Sequence, residues 1–408
     1  MKSALSNSKY KIAVVGAGPA GTSLAIRLAE KNYKVVLIER ELFPRHKLCG
    51  EFISPECWRH FRRLGVENEM LAAGGERIVE TVFYAASGKQ IGVPSKWFDR
   101  NEAGALSLSR AVMDQRLLER AKAIGVEVSE ESSVIGLAGD KNSVSGLKVR
   151  DRDGMAKEIV ADLFVDATGR ARVLGKMAEK QFHHRDNGET QKFQIPNPKS
   201  QIPNRLVGFK THLKNARPEK GTCEIYVFRG GYGGLSRVEN DLTNFCFLIR
   251  ADVVREFSSD ARQIIENVIF QNRRARAALE NAVPVGDWLA VSVDGFGEKN
   301  LNPALNLFSV GDAGAFIDPF TGSGMLMAFE GAEILAEAII ENSSTVRIAE
   351  EYKTAHARKF RRRLFVCSLM RRAASSPTLA ENLISLLSIG DLPRKLLARS
   401  TRPGELNG

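Results

Sequence analysis

Residues 11–39, KIAVVGAGPAGTSLAIRLAEKNYKVVLIE, decide the fold. Lys11 to Val15 is a short apolar run of strand type, and Gly16-Ala17-Gly18-Pro19-Ala20-Gly21 follows at once. Thr22 to Lys31 then carries Leu24, Ile26, Leu28 and Ala29 at helical spacing, and Val35 to Ile38 reads as a second buried strand ending at Glu39. Runs of Val and Ile buried on both faces suit a parallel sheet, so the segment is one βαβ unit. In Gly16-x-Gly18-x-x-Gly21 each glycine has a task. Gly16 permits the tight turn, Gly18 leaves room for a pyrophosphate against the backbone, and Gly21 lets helix and strand pack closely. Pro19 and Ala20 lie in the turn as candidate cofactor contacts, and the helix that follows turns its free amides and roughly half a positive charge to the phosphates. Glu39, about 20 residues on, accepts from ribose hydroxyls and repels a 2′-phosphate, which selects FAD or NAD over NADP.

The rest of the chain bounds this reading. Its 408 residues, 43% of them hydrophobic, are too many for one small module and too apolar for disorder; roughly two or three domains are expected. Cys49, Cys57, Cys223, Cys246 and Cys367 are odd in number and scattered without a CxxC pair, which argues against a zinc module or a secreted disulfide framework. The six histidines show no metal spacing, so no metal site is expected, and His183-His184 falls in a polar connection. Met1 to Tyr10 holds no signal-peptide core, and no apolar run approaches the roughly 18 residues of a spanning helix. A cytoplasmic protein with reduced thiols is expected. The net charge of +11 bears on partners rather than on fold.

From about Phe182 to Pro218 the chain is polar and aperiodic and reads as connection. Thr222 to Arg229 and Asn244 to Arg250 read as strands, separated by a glycine-rich turn from Gly230 to Gly234. Tyr226 with Phe228, and Phe245 with Phe247, share strand faces that suit core or pocket wall. Val253 to Asn281 returns to helical spacing. Ile159 to Phe164 is an apolar strand leading into Val165-Asp166-Ala167-Thr168-Gly169-Arg170. Leu305 to Val310 runs into Gly311-Asp312, and Gly324 to Ile340 is a long apolar helix. The expected class is α/β: a discontinuous Rossmann-like nucleotide-binding domain (residues 1–75, 100–180 and 285–345), an inserted β-rich substrate domain (76–99 and 181–284) and a basic helical C-terminal region (346–408).

Three motifs in order carry a resemblance: the GxGxxG string, Asp166-Ala167-Thr168-Gly169, and Gly311-Asp312 with its extension Pro319-Phe320-Thr321-Gly322-Ser323-Gly324. Over roughly residues 10 to 340 the chain resembles the FAD-dependent oxidoreductases of the para-hydroxybenzoate hydroxylase and geranylgeranyl reductase superfamily. The resemblance implies an enzyme with FAD as cofactor. It implies that Asp312 hydrogen-bonds a ribityl hydroxyl and that Pro319 lies against the isoalloxazine ring. Gly322, Ser323, Gly324 and Met325 would bring backbone amides to flavin N1 and the C2 carbonyl. A helix N-terminus aimed at N1 favours the anionic reduced ring by about 1–2 kcal/mol. Asp166 has a plainer alternative, a strand-end acid capping the Thr168-Gly169 turn. Phe43 to Glu51 stands where the family has a FAD-contacting loop. Arg45 is the first candidate there; for Arg40 and Lys47, solvated surface charge competes. Arg110 opens a helix from Ser109 to Ala123, with Ser107 or Ser109 as N-cap, and matches a FAD-contacting arginine. The Pro-x-x-Lys-x-Cys-Gly string is most similar to the geranylgeranyl reductase branch, where such a cysteine sits beside the flavin. Cys49 is therefore the candidate catalytic residue, against a buried structural thiol.

No second GxGxxG exists, so NAD(P)H either docks transiently or leaves electron delivery to an external flavin or ferredoxin-type reductase. The Trp-x-Trp-x-Ile-Pro string of flavin halogenases is absent; Trp58, Trp97 and Trp288 are isolated. Two chemistries share such a scaffold. A hydroxylase needs a dry site beside its substrate. A reductase passes hydride to a carbon–carbon double bond and needs a proton donor, a role open to Cys49. The aromatic-Trp-x-Phe-Pro string typical of geranylgeranyl reductases is only approximated by residues 231–236. The sequence thus favours an NAD(P)H-consuming monooxygenase of an apolar, aromatic or polyketide-like small molecule. Reduction of an isoprenoid double bond comes next, and a non-catalytic flavin protein last. Finally, Arg358, Lys359, Arg361, Arg362, Arg363, Arg371 and Arg372 interleave with Phe360, Leu364, Phe365, Val366, Leu369 and Met370, with no acid among them. A basic amphipathic helix over Arg358–Arg372 suits an anionic membrane surface, or docks on the body with its charges solvated. No nucleic-acid fold accompanies the charge, so no nucleic-acid partner is expected.

Overall fold

The computed structural model describes residues 10–99, 104–140, 142–182, 205–293, 295–374 and 377–402; His183-His184 lies outside them. Tyr10–Val15 is central in the first of two large sheets. It runs parallel to Val35–Ile38 on one side and to the second half of Ala156–Asp166 on the other. Glu127–Ser129 and Leu307–Ser309 extend this parallel part. Side chains alternate across the strand. Ile12 and Val14 pack with Leu24 and Leu28 of the Pro19–Ala29 helix, and with Leu117 and Phe329 from the helices Arg110–Ala123 and Gly324–Glu341. Ala13 and Val15 face the opposite layer, with Phe164, Leu174 and Leu147. Both faces of the strand are therefore buried, as its continuous apolar run requires.

The second sheet also has seven strands, in the order Val283–Val293, Leu206–Lys214, Thr243–Arg250, Gly231–Arg237, Thr222–Phe228, Glu80–Tyr84 and Gln90–Pro94. All neighbours are antiparallel except Thr222–Phe228 and Glu80–Tyr84, which are parallel. A hairpin from early in the chain thus completes a sheet built mainly from residues 206–293. Tyr226, Phe228, Phe245 and Phe247 form its core.

Two expectations are corrected here. The polar stretch read as connection contains the strand Leu206–Lys214, which is paired on both sides. Its polar residues Lys210 and His212 point to a buried carboxylate, Glu51, which hides the usual strand signal. The glycine-rich segment read as a turn is instead the strand Gly231–Arg237. A Cβ at Gly231 would meet the Leu248 carbonyl oxygen at 2.0 Å, and one at Gly233 would meet Phe247 Cβ at 2.8 Å. These glycines let the strand lie against its bulky neighbours. Residues 253–281 divide among three short helices, two of them capped by Asp260 and Asn272.

At the C-terminus, Thr345–Ala374 packs back along Gly324–Glu341, and Pro377–Leu387 and Asp391–Ser400 return to the early hairpin. Within the basic run, Phe360 and Arg363 are buried, and Glu330 holds Arg363, Lys359 and Arg59 at 3.1, 3.3 and 2.7 Å. The side chains of Arg371 and Arg372 lie outside the described residues. Among the described residues, no helix is long and apolar enough to cross a membrane.

Candidate active site

A cavity of about 920 Å³ lies between the two sheets. Gly16, Gly18, Pro19, Ala20, Glu39, Arg40, Arg45, Cys49, Arg110, Gly311, Asp312, Pro319, Gly322, Gly324 and Met325 all line it. Gly21 does not. A Cβ there would meet the Gly16 carbonyl oxygen at 1.9 Å, so this glycine serves helix–strand packing, while the turn before it is held by Gly16 at φ +104°.

The residues present fit FAD. Gly18 is the N-cap of the Pro19–Ala29 helix, and no side chain caps that end. A Cβ on Gly18 would meet only Arg110 Nη2, at 3.7 Å, so the cradle beneath the helix amides is open. Glu39 is buried, and its two oxygens accept from the Ala17 and Glu41 amides at 2.8 and 3.1 Å. Those bonds fix the carboxylate, and each oxygen keeps a lone pair for a ribose hydroxyl. Gly311, at φ +63°, brings the Gly311-Asp312 turn close to Ala20. Burial raises the Asp312 carboxyl to about 6, against the pull of Arg170 and Arg110.

The two arginines expected at the cofactor are joined by a residue the sequence reading passed over. Asp114, buried one turn into the Arg110–Ala123 helix, accepts from Arg110 Nε and Nη2 at 2.8 and 2.6 Å. Its Oδ2 also takes Arg45 Nη1 at 2.8 Å. Arg45 Nη2 stands 3.6 Å from Glu39, and its buried Nε has no hydrogen-bond partner among the described residues. The i, i+4 spacing of Arg110 and Asp114 was the available signal. Ser109 is the N-cap, accepting from the Val112 amide. Arg40 is exposed at the cavity rim, paired with Glu41 at 3.0 Å. Lys47, Ser133 and Arg170 also line the cavity. Asp166 does not: it accepts from Thr168 and from the Gly175 amide, the capping role open to it in the sequence.

Cys49 sits in the cavity wall. Its Sγ accepts from the Glu51 amide at 3.3 Å. Burial pushes the thiol above its ordinary value, while Arg110 pulls it down. Immediately behind it, Glu51 is fully buried at φ +53° and accepts from His212 Nε2 at 2.7 Å, Lys210 Nζ at 2.9 Å and the Arg110 amide at 3.0 Å. Burial alone would raise the Glu51 carboxyl, but the His212 hydrogen bond and the Lys210 charge outweigh it and hold it below the usual range. Glu51, Lys210 and His212 were not read as site residues, since nothing in the linear sequence joins positions about 160 apart. The far end of the cavity is mostly apolar, with Phe83, Ile91, Phe320, Ile384, Leu387 and Leu397 in its wall beside Arg394 and Arg402, which are held by the Gly92 carbonyl and by Glu56.

The chain is similar to known proteins. A digeranylgeranylglycerophospholipid reductase of Methanopyrus kandleri is 25% identical over 364 residues, 86% of this chain and 83% of its own. Conditioned medium factor receptor 1 of Dictyostelium discoideum is 27% identical over 82% of this chain, which spans 64% of that protein. Among solved structures, a flavin-dependent brominase superposes with a TM-score of 0.75 at 17% identity, covering 98% of this chain and 95% of its own. A geranylgeranyl bacteriochlorophyll reductase-like protein of Thermoplasma acidophilum gives 0.74 at 19%, covering 97% of each chain. At these identities the two structures speak for the fold. The FAD binding domain family model matches residues 9–363, and the chain belongs to that family of FAD-dependent oxidoreductases.

Proposed function

We propose that the protein is an FAD-dependent reductase of a carbon–carbon double bond in an apolar, isoprenoid-type chain. The observation that carries this reading is the position of the Cys49 thiol, whose pKa burial raises, in the wall of the same cavity as the open FAD cradle. FAD, once reduced, supplies a hydride to one carbon of such a bond. Cys49 holds the proton for the other carbon at Sγ, and the thiolate left behind is stabilised by Arg110 and regains its proton from solvent. Arg110 and Arg45, locked by Asp114, bind and orient the cofactor's phosphate and ribityl region. The far wall, mostly apolar, takes the chain. The reductant is NAD(P)H docking transiently, or an external flavin or ferredoxin-type reductase. Some named relatives support it, the Methanopyrus protein and a menaquinone reductase of Mycolicibacterium smegmatis, while others are a tryptophan 2-halogenase of Chondromyces crocatus and a squalene monooxygenase of Panax ginseng.

Hydroxylation of an apolar or aromatic molecule is the second reading, favoured by the aromatic side chains Phe52, Phe83, Phe247, Phe316 and Phe320 along the cavity. Product analysis separates the two. Under argon, with chemically reduced enzyme and a geranylgeranyl-bearing lipid, the reductase reading expects a product with two added hydrogens. A product formed only in air and carrying an added oxygen atom supports hydroxylation.

A further inference from the structure

The C-terminal helices present two unlike faces. Inward, Leu383, Ile384, Leu387 and Leu397 form the end wall of the cavity and pack on Ala85 and Ile91 of the early hairpin. Outward, Leu386, Ile389, Leu392 and Leu396 are exposed, Ile389 at 79% and Leu392 at 68%. On the neighbouring helix Phe365 and Leu369 are also exposed, one and two turns beyond Arg361. Exposed apolar side chains this numerous on three adjoining helices need a partner.

The charges around them choose it. Arg358, Arg361, Arg362 and Arg399 are exposed on the same helices, and Lys395 is half-buried among them. The only acids between residues 352 and 402 are Glu381 and Asp391. Glu381 is held by Ser87 and Lys89, and Asp391 by Arg394. The surface is therefore apolar and basic with its acids spent. A second copy of the chain would bring these cations together across a two-fold axis, which disfavours self-association.

We propose that this outer face docks on an anionic lipid bilayer, with Leu386, Ile389, Leu392 and Leu396 inserted below the headgroups and the arginines at headgroup level. Neither signal holds a protein on a membrane well by itself, but apolar insertion and basic charge together do. The cavity's end wall then stands one helix thickness from the lipid. The docking holds whichever reaction the cavity supports.

The test is sedimentation of the full-length, FAD-loaded protein with vesicles. One set is phosphatidylcholine alone, and the other contains phosphatidylserine. The wild type should pellet with the second set only, and less as salt rises. Ile389→Asp/Leu392→Asp and Arg361→Glu/Arg362→Glu should each lower the bound fraction about tenfold, with flavin content and unfolding temperature unchanged. Wild-type protein left in the supernatant with phosphatidylserine vesicles overturns the proposal. So does binding undiminished in both variants, or a dimer in sedimentation velocity that the same substitutions dissolve.

Discussion

Glu51 Oε2 lies 2.7 Å from His212 Nε2, a buried contact that joins the loop carrying Cys49 to a central strand of the second sheet. Lys210, two residues earlier on that strand, holds the other carboxylate oxygen at 2.9 Å. One carboxylate thus offsets the Lys210 ammonium directly behind the thiol. It limits how much of that positive field reaches Cys49, and so keeps the thiol pKa up.

Glu51→Gln should therefore act twice. It leaves Lys210 buried without a counter-charge, at a cost of about 3–5 kcal/mol in denaturant unfolding. It also lets the uncompensated ammonium lower the Cys49 pKa, so alkylation of Cys49, followed by peptide mass spectrometry, should begin at lower pH than in the wild type. Adding Lys210→Met should restore part of the stability and reverse the alkylation shift.

The second and third glycines of the fingerprint should separate binding from folding. Gly18→Val projects into the open cradle, so the protein should fold with the unfolding temperature of the flavin-free wild type and carry no flavin. Gly21→Val meets backbone at 1.9 Å and should yield little folded protein at all. Flavin absorbance and thermal melts of both variants check this.

Asp312 gives a pH dependence. Its carboxyl is raised from 3.8 to about 6 in the flavin-free protein, chiefly by burial. Between those values the folded state binds more protons than the unfolded one, so the contribution of this group to stability falls as pH rises through that window and is flat above it. Asp312→Asn should stabilise the flavin-free protein more at about pH 8 than at about pH 5. It should weaken FAD retention, because an acceptor for the ribityl hydroxyls is lost. Melts of deflavinated protein, paired with FAD titration, measure both.

Glu330 anchors the C-terminal helix. Glu330→Gln removes the counter-charge from Arg363, which is buried at 1% exposure, and should cost about 3–5 kcal/mol. Limited proteolysis should then cut within residues 345–400 faster than in the wild type.

Much of this was legible in the sequence where function is local. Strand, glycine turn, helix and Glu39 lie within thirty residues, so spacing alone revealed the cradle. Asp312 and Pro319 were reached through motifs that are contiguous in the chain. What escaped was built across the fold. Leu206–Lys214 did not read as a strand because Lys210 and His212 interrupt its pattern, and they are tolerated only because Glu51, 159 positions from Lys210, pairs with them. Gly231–Arg237 did not read as a strand because its glycines answer to Phe247 and Leu248 on the next strand. Asp114 was passed over because a buried acid linking two arginines resembles an ordinary helix-surface pair in one dimension.

The most direct test of the central claim is an anaerobic single turnover. Enzyme whose flavin has been photoreduced is mixed under argon with a geranylgeranyl-bearing lipid, and the return of the oxidised flavin band is followed. The account predicts reoxidation without oxygen, at a rate that rises with lipid concentration and falls at least about a hundredfold in Cys49→Ala, the scale of a lost general acid. Flavin that stays reduced until air is admitted, in the wild type as in the variant, would contradict it.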